Sequence, residues 1–337
     1  TGGTDKTKSW KGWVALLDSA GAIKWAKTVG SDSGTYFRGV TALANGNVVT
    51  CGIASSKGAW ETQLSASGGV LKEWSNASAK TSCWAVVQHG TGWAATGGGG
   101  TQDLYTWLHA RSATGTMLWS SNHSDAGDIP RAMARTPDGD LVTVGQEYPS
   151  YSGFVMKVNG VTGKQKWLYR FKSKELQESV SVAPNGRIYT GQGDGKVGRL
   201  HLFSPGGALL SSRTYAYTPK MYHLTSVYAH AAGVDAVGVA SINGAKRTQL
   251  LHADPVGQTT CTEDANCGAA GCGCPLGYTR LNAVTSAGVS SCGVSAPVWG
   301  QRPDKPVGVF TAQTLNGGQI VRDKQTQLTW TKAVVAN

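Results

Sequence analysis

The sequence predicts an all-β chain, a β-propeller of six four-stranded blades, and three observations carry that prediction. Gly is 46 of 337 residues with no collagen-like period, which suits turns between many short strands. Turn glycines recur at Gly46, Gly92, Gly139, Gly186 and Gly233, spaced 46, 47, 47 and 47 residues apart. Each period also holds two stretches of alternating apolar residues around Gly-containing turns, the sequence form of two β-hairpins. Four strands repeated at this spacing describe a propeller blade, which buries its faces only against its neighbours.

The first hairpin of each unit is read in "TALANGNVVTCG" from Thr41, "VVQHGTGWAATGG" from Val86, "MARTPDGDLVTVG" from Met133, "SVAPNGRIYTGQG" from Ser181 and "VYAHAAGVDAVGV" from Val227. The second is read in "LLDSAGAIKW", "QLSASGGVLKEW", "HARSATGTMLW" and "KVNGVTGKQKW", each ending on a Trp. Two weaker copies, "LFSPGGALLSS" and "LHADPVGQTTC", have Ser or Cys there instead. The recurring Trp25, Trp74, Trp119 and Trp167 are expected to pack between blades as bulky amphipathic wedges. Trp10, Trp13, Trp60, Trp84, Trp93, Trp107 and Trp299 fall outside that recurrence, which makes them the better aromatic candidates for binding.

The stretch "KWAKTVGSDSGTYFRGVTALANGNVVTCG", Lys24 to Gly52, resembles a secreted-protein repeat of the form Trp-x-Lys-x-x-Gly-Gly, an Asp-Gly-Gly turn, then a strand ending in Gly. Such repeats occur in large bacterial and some protist surface proteins. The resemblance runs from about Gly12 to Asp254, and it implies a propeller and a secreted or cell-surface location but no particular chemistry.

Continuing the period past Gly233 leads into "CTEDANCGAAGCGCPLGYTRLNAVTSAGVSSC", which holds Cys261, Cys267, Cys272, Cys274 and Cys292, five of the seven cysteines. The next suitable turn, Gly317, lies 84 residues beyond Gly233, one period plus about 37 residues, so an insertion in the sixth blade is expected. The boundaries read as 1–260 for five blades and the start of the sixth, 261–297 for the insert, and 298–337 for blade closure or the start of a further, truncated domain. No His lies inside the segment and Cys272-Gly-Cys274 is too tight for a usual zinc knuckle, so a disulfide staple is expected, with no metal and no cofactor. "CGCPLGYTRLNAVTSAGVSSC" resembles the second half of an EGF-like module, a likeness that implies a Cys274–Cys292 pair. Cys51 and Cys83 lie in neighbouring repeats, where either a bridge between blades or two buried thiols would fit. "IVRDKQTQLTW", near the end, resembles the opening of the Lcl C-terminal family of bacterial surface domains, with Gln327 in place of its Gly. Only seven residues follow Trp330 and the chain opens on Thr, which leads one to expect a processed or excised piece.

Lys plus Arg number 31 against 20 Asp plus Glu, a net charge of +11, which favours acidic partners. The basic residues are scattered, so no specific nucleic-acid surface is expected. No apolar run is long enough for a membrane span. The clustered cysteines and the sequons at Asn76 and Asn122 fit an oxidising, extracellular setting.

No nucleophile, phosphate-cradle or metalloprotease motif occurs. Glu147, Glu175 and Glu178 are the carboxylates from which a glycosidase pair would be drawn. The Tyr-rich inter-strand segments "QEYPSYSG" and "RTYAYTPKMYH" nominate Tyr148, Tyr151, Tyr215, Tyr217, Tyr222 and His223 for ligand contact, because sites are usually grafted on propeller loops. The expected function is a non-enzymatic adhesive or structural module that binds glycan or extracellular protein, or associates with itself. The alternative is a propeller hydrolase or lyase acting on acidic polysaccharide.

Overall fold

The computed structural model describes residues 2–4, 11–30, 34–55, 57–75, 81–99, 105–123, 128–148, 150–172, 174–193, 197–215, 220–231, 233–242 and 245–253. Beyond these it describes only 280–281, 291–292, 310–315, 318–323 and 329–331. The chain divides into two units, Thr1–Pro255 and Val256–Asn337.

The first unit is a succession of antiparallel sheets built one after another along the chain. Sheet I comprises β1 (Gly2–Thr4), β2 (Lys11–Leu17) and β3 (Ile23–Val29). Sheet II is β4 (Tyr36–Ala42), β5 (Val48–Ala54), β6 (Gly58–Leu64) and β7 (Val70–Ser75), and sheet III is β8 (Ser82–His89), β9 (Gly92–Gly99), β10 (Tyr105–Arg111) and β11 (Met117–His123). Sheet IV follows as β12 (Asp128–Arg135), β13 (Leu141–Glu147), β14 (Gly153–Val158) and β15 (Gln165–Arg170). Sheet V is β16 (Gln177–Val182), β17 (Ile188–Gly193), β18 (Gly198–Phe203) and β19 (Leu209–Tyr215); sheet VI is β20 (Lys220–His230), β21 (Gly233–Ile242) and β22 (Ala245–Ala253). One residue pair, Gly193 with His223, joins sheets V and VI.

Five hydrophobic clusters lie one between each pair of successive sheets. Val14, Phe37 and Trp60 fill the first gap, Val49, Cys83 and Trp93 the second, Leu108, Met133 and Phe154 the third. Val144, Ile188 and Phe203 fill the fourth, and Tyr189, Leu200 and Leu224 the fifth. Alternation decides which gap a side chain enters: on β13, Leu141 faces sheet III while its neighbour Val142 faces sheet V. Middle strands are therefore buried on both faces and lose the polar alternation of a one-sided sheet. The first strands β4, β8, β12, β16 and β20 pack against one another in that order. Face-to-face sheets whose first strands share one inner side are the blades of a β-propeller.

The recurring tryptophans lock each blade to the next. Trp25 donates its indole N–H to the Ala66 carbonyl at 2.8 Å, Trp119 to the Gly160 carbonyl at 2.8 Å, and Trp167 to the Pro205 carbonyl at 3.2 Å. Each ring covers the tight turn between the last two strands of the following sheet. A Cβ on Gly115 would fall on the Trp74 ring, and the residue also sits at φ +84°. Gly115→Ala is therefore expected to cost about 2 kcal/mol through steric overlap and a left-handed backbone, measured as a lowered urea midpoint at unchanged slope.

Trp13, Trp60 and Trp107 do not break the repeat, as the sequence reading had it. With Phe154 and His201 they stand at one position, 47 residues apart. Trp60, Phe154 and His201 are almost wholly buried there and Trp107 nearly so. Burial pushes the His201 imidazole down to about 4, with Arg199 adding to the shift. The Glu175 carboxylate, 3.7 Å away, favours the charged form, yet desolvation wins in so closed a site. The unfolded chain takes up that proton near pH 6.5 and the folded chain resists. Stability should thus fall as pH drops below about 6.5 and level off near 4, a loss of order 3 kcal/mol. His201→Phe, matching Phe154 in the preceding repeat, should flatten that part of the pH–stability curve.

The second unit is described only as short strands: β23 (Arg280–Leu281) pairs with β24 (Ser291–Cys292), and β25 (Phe310–Leu315), β26 (Gly318–Asp323) and β27 (Thr329–Thr331) form a small antiparallel sheet. β25 and β26, which flank the turn expected at "TLNGGQIV", pair antiparallel. Cys261, Cys267, Cys272 and Cys274 lie outside the described residues, as do Asn76, Tyr217, Trp10 and Trp299.

Candidate functional site at the inner strands

Every first strand from β4 to β20 carries a β-bulge at one repeat position. The pairing registers skip Arg38, Trp84, Arg131, Glu178 and Thr225, and each stands eight residues before its turn glycine. A bulged residue leaves the ladder and is re-aimed away from its strand neighbours. Four of these, Arg38, Trp84, Arg131 and Glu178, line one pocket of about 460 Å³ together with Tyr36.

The pocket is electropositive and aromatic. The Arg38 guanidinium lies over the Trp84 ring at 3.2 Å from its centroid, and that of Arg131 lies over it at 4.3 Å. Arg38 Nη2 donates to the Tyr36 hydroxyl at 2.8 Å. Arg38 Nη1 and Arg131 Nε are buried N–H groups with no hydrogen-bond partner, a state that costs about 1–3 kcal/mol when left unmet. Burial lowers the Arg131 pKa, Glu178 opposes that shift and Arg38 adds to it. Trp84 thus gathers two like charges whose repulsion its π-face offsets, so it acts as a positioning residue.

Strand direction places this pocket relative to the loops. In an antiparallel sheet of four, the tight first and third turns emerge on one face, while the second turn and the connection to the next sheet emerge on the other. Arg38 and Glu178 stand near the starts of their strands, on the loop face. The Tyr148–Tyr151 segment joins β13 to β14 on that same face, where β19 ends at Tyr215 and β20, which carries Tyr222, begins.

Tyr148 and Tyr151 are exposed and meet edge to face at 5.6 Å, and Tyr151 is held at φ 58°. Lys174 sits over the Tyr151 ring at 5.7 Å. His223 is half-buried where β20 crosses Gly193. Asn122 is exposed at the end of an outer strand. Neither Tyr148 nor Tyr151 lines the inner pocket; of its residues, Trp84 and Glu178 are among the sequence candidates, and Tyr36, Arg38 and Arg131 are not. The signal that finds them is the repeat itself, read eight residues before each turn glycine.

The three acidic candidates are not brought together. Glu147 pairs with Arg170, Glu175 with Arg199 at 3.3 Å, and only Glu178 reaches the pocket. Among the described residues no group of three or more His, Cys, Asp or Glu side chains is placed to hold a metal ion. Cys51 and Cys83 are joined by a disulfide, Cα atoms 5.5 Å apart, linking β5 to β8 directly beside Trp84.

Fold and pocket together define a β-propeller with an electropositive mouth on its loop face. No protein-family model matches the sequence, and no curated protein matches it. The structure is similar to a protein of unknown function from Bacteroides caccae, with a TM-score of 0.52 and 12% identity, over 75% of this chain and 88% of that one. It is also similar to the Dos1 propeller, at TM-score 0.48 and 10% identity over 70% of this chain and 62% of the other. A third likeness is to quinohemoprotein alcohol dehydrogenase from Comamonas testosteroni, at TM-score 0.45 and 13% identity over 61% of this chain and 41% of that one.

Proposed function

We propose that this protein is a non-enzymatic module of an extracellular or cell-surface assembly, binding an acidic glycan at the inner mouth of its loop face. The observation that carries the reading is the pair of guanidiniums, Arg38 and Arg131, held over one indole in a pocket that contains a single carboxylate. Hydrolysis of a glycosidic bond canonically calls for two cooperating carboxyl groups, whereas anion capture calls for convergent arginines. Tyr148 and Tyr151, exposed on the same face, extend the contact along a chain of sugars. The Cys51–Cys83 bridge suits an oxidising compartment. In the same proposal the propeller has six blades, residues 261–297 form an EGF-like insert, and the end of the chain takes part in closing the last blade.

Titration calorimetry with acidic and neutral oligosaccharides tests the binding role. Each guanidinium is expected to contribute about 10- to 100-fold in affinity, so Arg38→Ala with Arg131→Ala should reduce acidic-glycan binding by about 100-fold or more. Tyr148→Ala should cost on the order of threefold. A double arginine variant that binds acidic oligosaccharide like the wild type would remove the pocket from the site.

A further inference from the structure

The bulge positions form a five-member series, Arg38, Trp84, Arg131, Glu178 and Thr225, of which the first four line the inner mouth. Propeller architecture needs no particular residue there, since the five differ in charge, size and polarity. What the series does set is the charge at the mouth. Two guanidiniums and one carboxylate line the pocket, so one positive charge remains.

We propose that the pocket selects a hydroxyl-bearing, monoanionic sugar residue, a hexuronate, over phosphate monoesters, and that Glu178 makes that selection. This rests on the reading of the pocket as the ligand site. A hexuronate carries one negative charge and balances the pocket. A phosphate monoester carries close to two near neutral pH, which leaves an excess charge beside Glu178 in a partly desolvated space, where like charges are costly. An ionised carboxylate is an acceptor only. The ligand edge against Glu178 must therefore donate, and the hydroxyls beside a sugar carboxylate do so. The arginines can take the carboxylate at the same time, because each guanidinium presents five donors in a plane and Arg38 spends one of them on Tyr36.

The experiment compares the affinities of the full chain for a hexuronate trimer, a hexose 6-phosphate and a neutral hexose trimer, at one fixed salt concentration. The wild type is expected to bind the hexuronate at least about tenfold tighter than the phosphate ester, and the neutral sugar weakest. Glu178→Gln keeps size and an acceptor while removing the charge. It should bring the two anions to within about threefold of each other, chiefly by tightening the phosphate ester. A wild type that holds the phosphate ester as tightly as the hexuronate overturns the selection, and that result needs no variant. A preference that survives in Glu178→Gln removes Glu178 as its source. A wild type that binds neither anion takes down the pocket reading itself, so the two failures are told apart.

Discussion

Glu61→Gln is expected to destabilise the protein by about 3–5 kcal/mol, the range for breaking one partner out of a buried ionic cluster. Glu61 lies on β6 with only 5% of its surface exposed. Its Oε1 is 2.8 Å from His109 Nε2, and its Oε2 is 3.6 Å from Arg111 Nε and accepts the Trp93 indole N–H at 2.7 Å. Burial alone would raise its pKa; His109, Arg111 and Trp93 outweigh burial and hold it below the ordinary value. The amide keeps the shape and loses the charge, leaving the Arg111 cation without its counter-ion between sheets II and III. A carboxyl whose folded pKa is depressed contributes above its unfolded value and loses that contribution as pH falls through the folded one. Wild type should therefore show an acid loss beginning below about pH 4.5 that the variant lacks, separate from the His201 loss beginning near 6.5. Chemical denaturation followed from pH 7 down to about pH 3 resolves both losses; a variant within about 1 kcal/mol of wild type at pH 7 would show the cluster to be dispensable.

Removing the Cys51–Cys83 disulfide is the second large effect. The bridge spans a sequence separation of 32, and the entropy of closing such a loop in the unfolded chain corresponds to about 3–4 kcal/mol. Both sulfurs sit in a fully buried cluster with Val49, Trp93 and Trp107, so Cys51→Ala with Cys83→Ala also opens a small void. The same change should loosen the inner mouth, because Trp84 follows Cys83 directly and carries both arginines. Thermal unfolding reads the first consequence, and acidic-glycan affinity at a temperature where the variant remains folded reads the second. A double variant that keeps its affinity would show that the bulge at Trp84 is set by its own strand.

The first-unit blades and their hairpins were legible in the sequence because their causes are local. A turn needing positive φ demands Gly at Gly46, Gly139 and Gly186, and alternation marks the strands on either side. Trp25, Trp74, Trp119 and Trp167 were rightly expected between blades, since a bulky ring repeated in register has a wedge to fill. The recurrence of Trp60 and Trp107 is hidden in a pattern of Trp alone, because their position accepts Trp, Phe or His, any flat ring that fits between two sheets. Cys51 and Cys83 left two readings open, and the 5.5 Å between their Cα atoms exists only once two blades stack.

The site was harder to see for a physical reason. Loop tyrosines attract attention because they are dense in sequence, yet Tyr148 and Tyr151 lie outside the pocket, which draws its residues from four blades. By itself the sequence determined the repeat, the turn chemistry, the strand content and the charge of the chain, each a property of neighbouring residues or of a fixed period. Tertiary structure alone decided that Arg38, Trp84, Arg131 and Glu178 meet. Residues 46 or 47 apart become neighbours only when successive first strands pack side by side, and a bulge in each strand lifts one side chain out of the ladder toward the space they share.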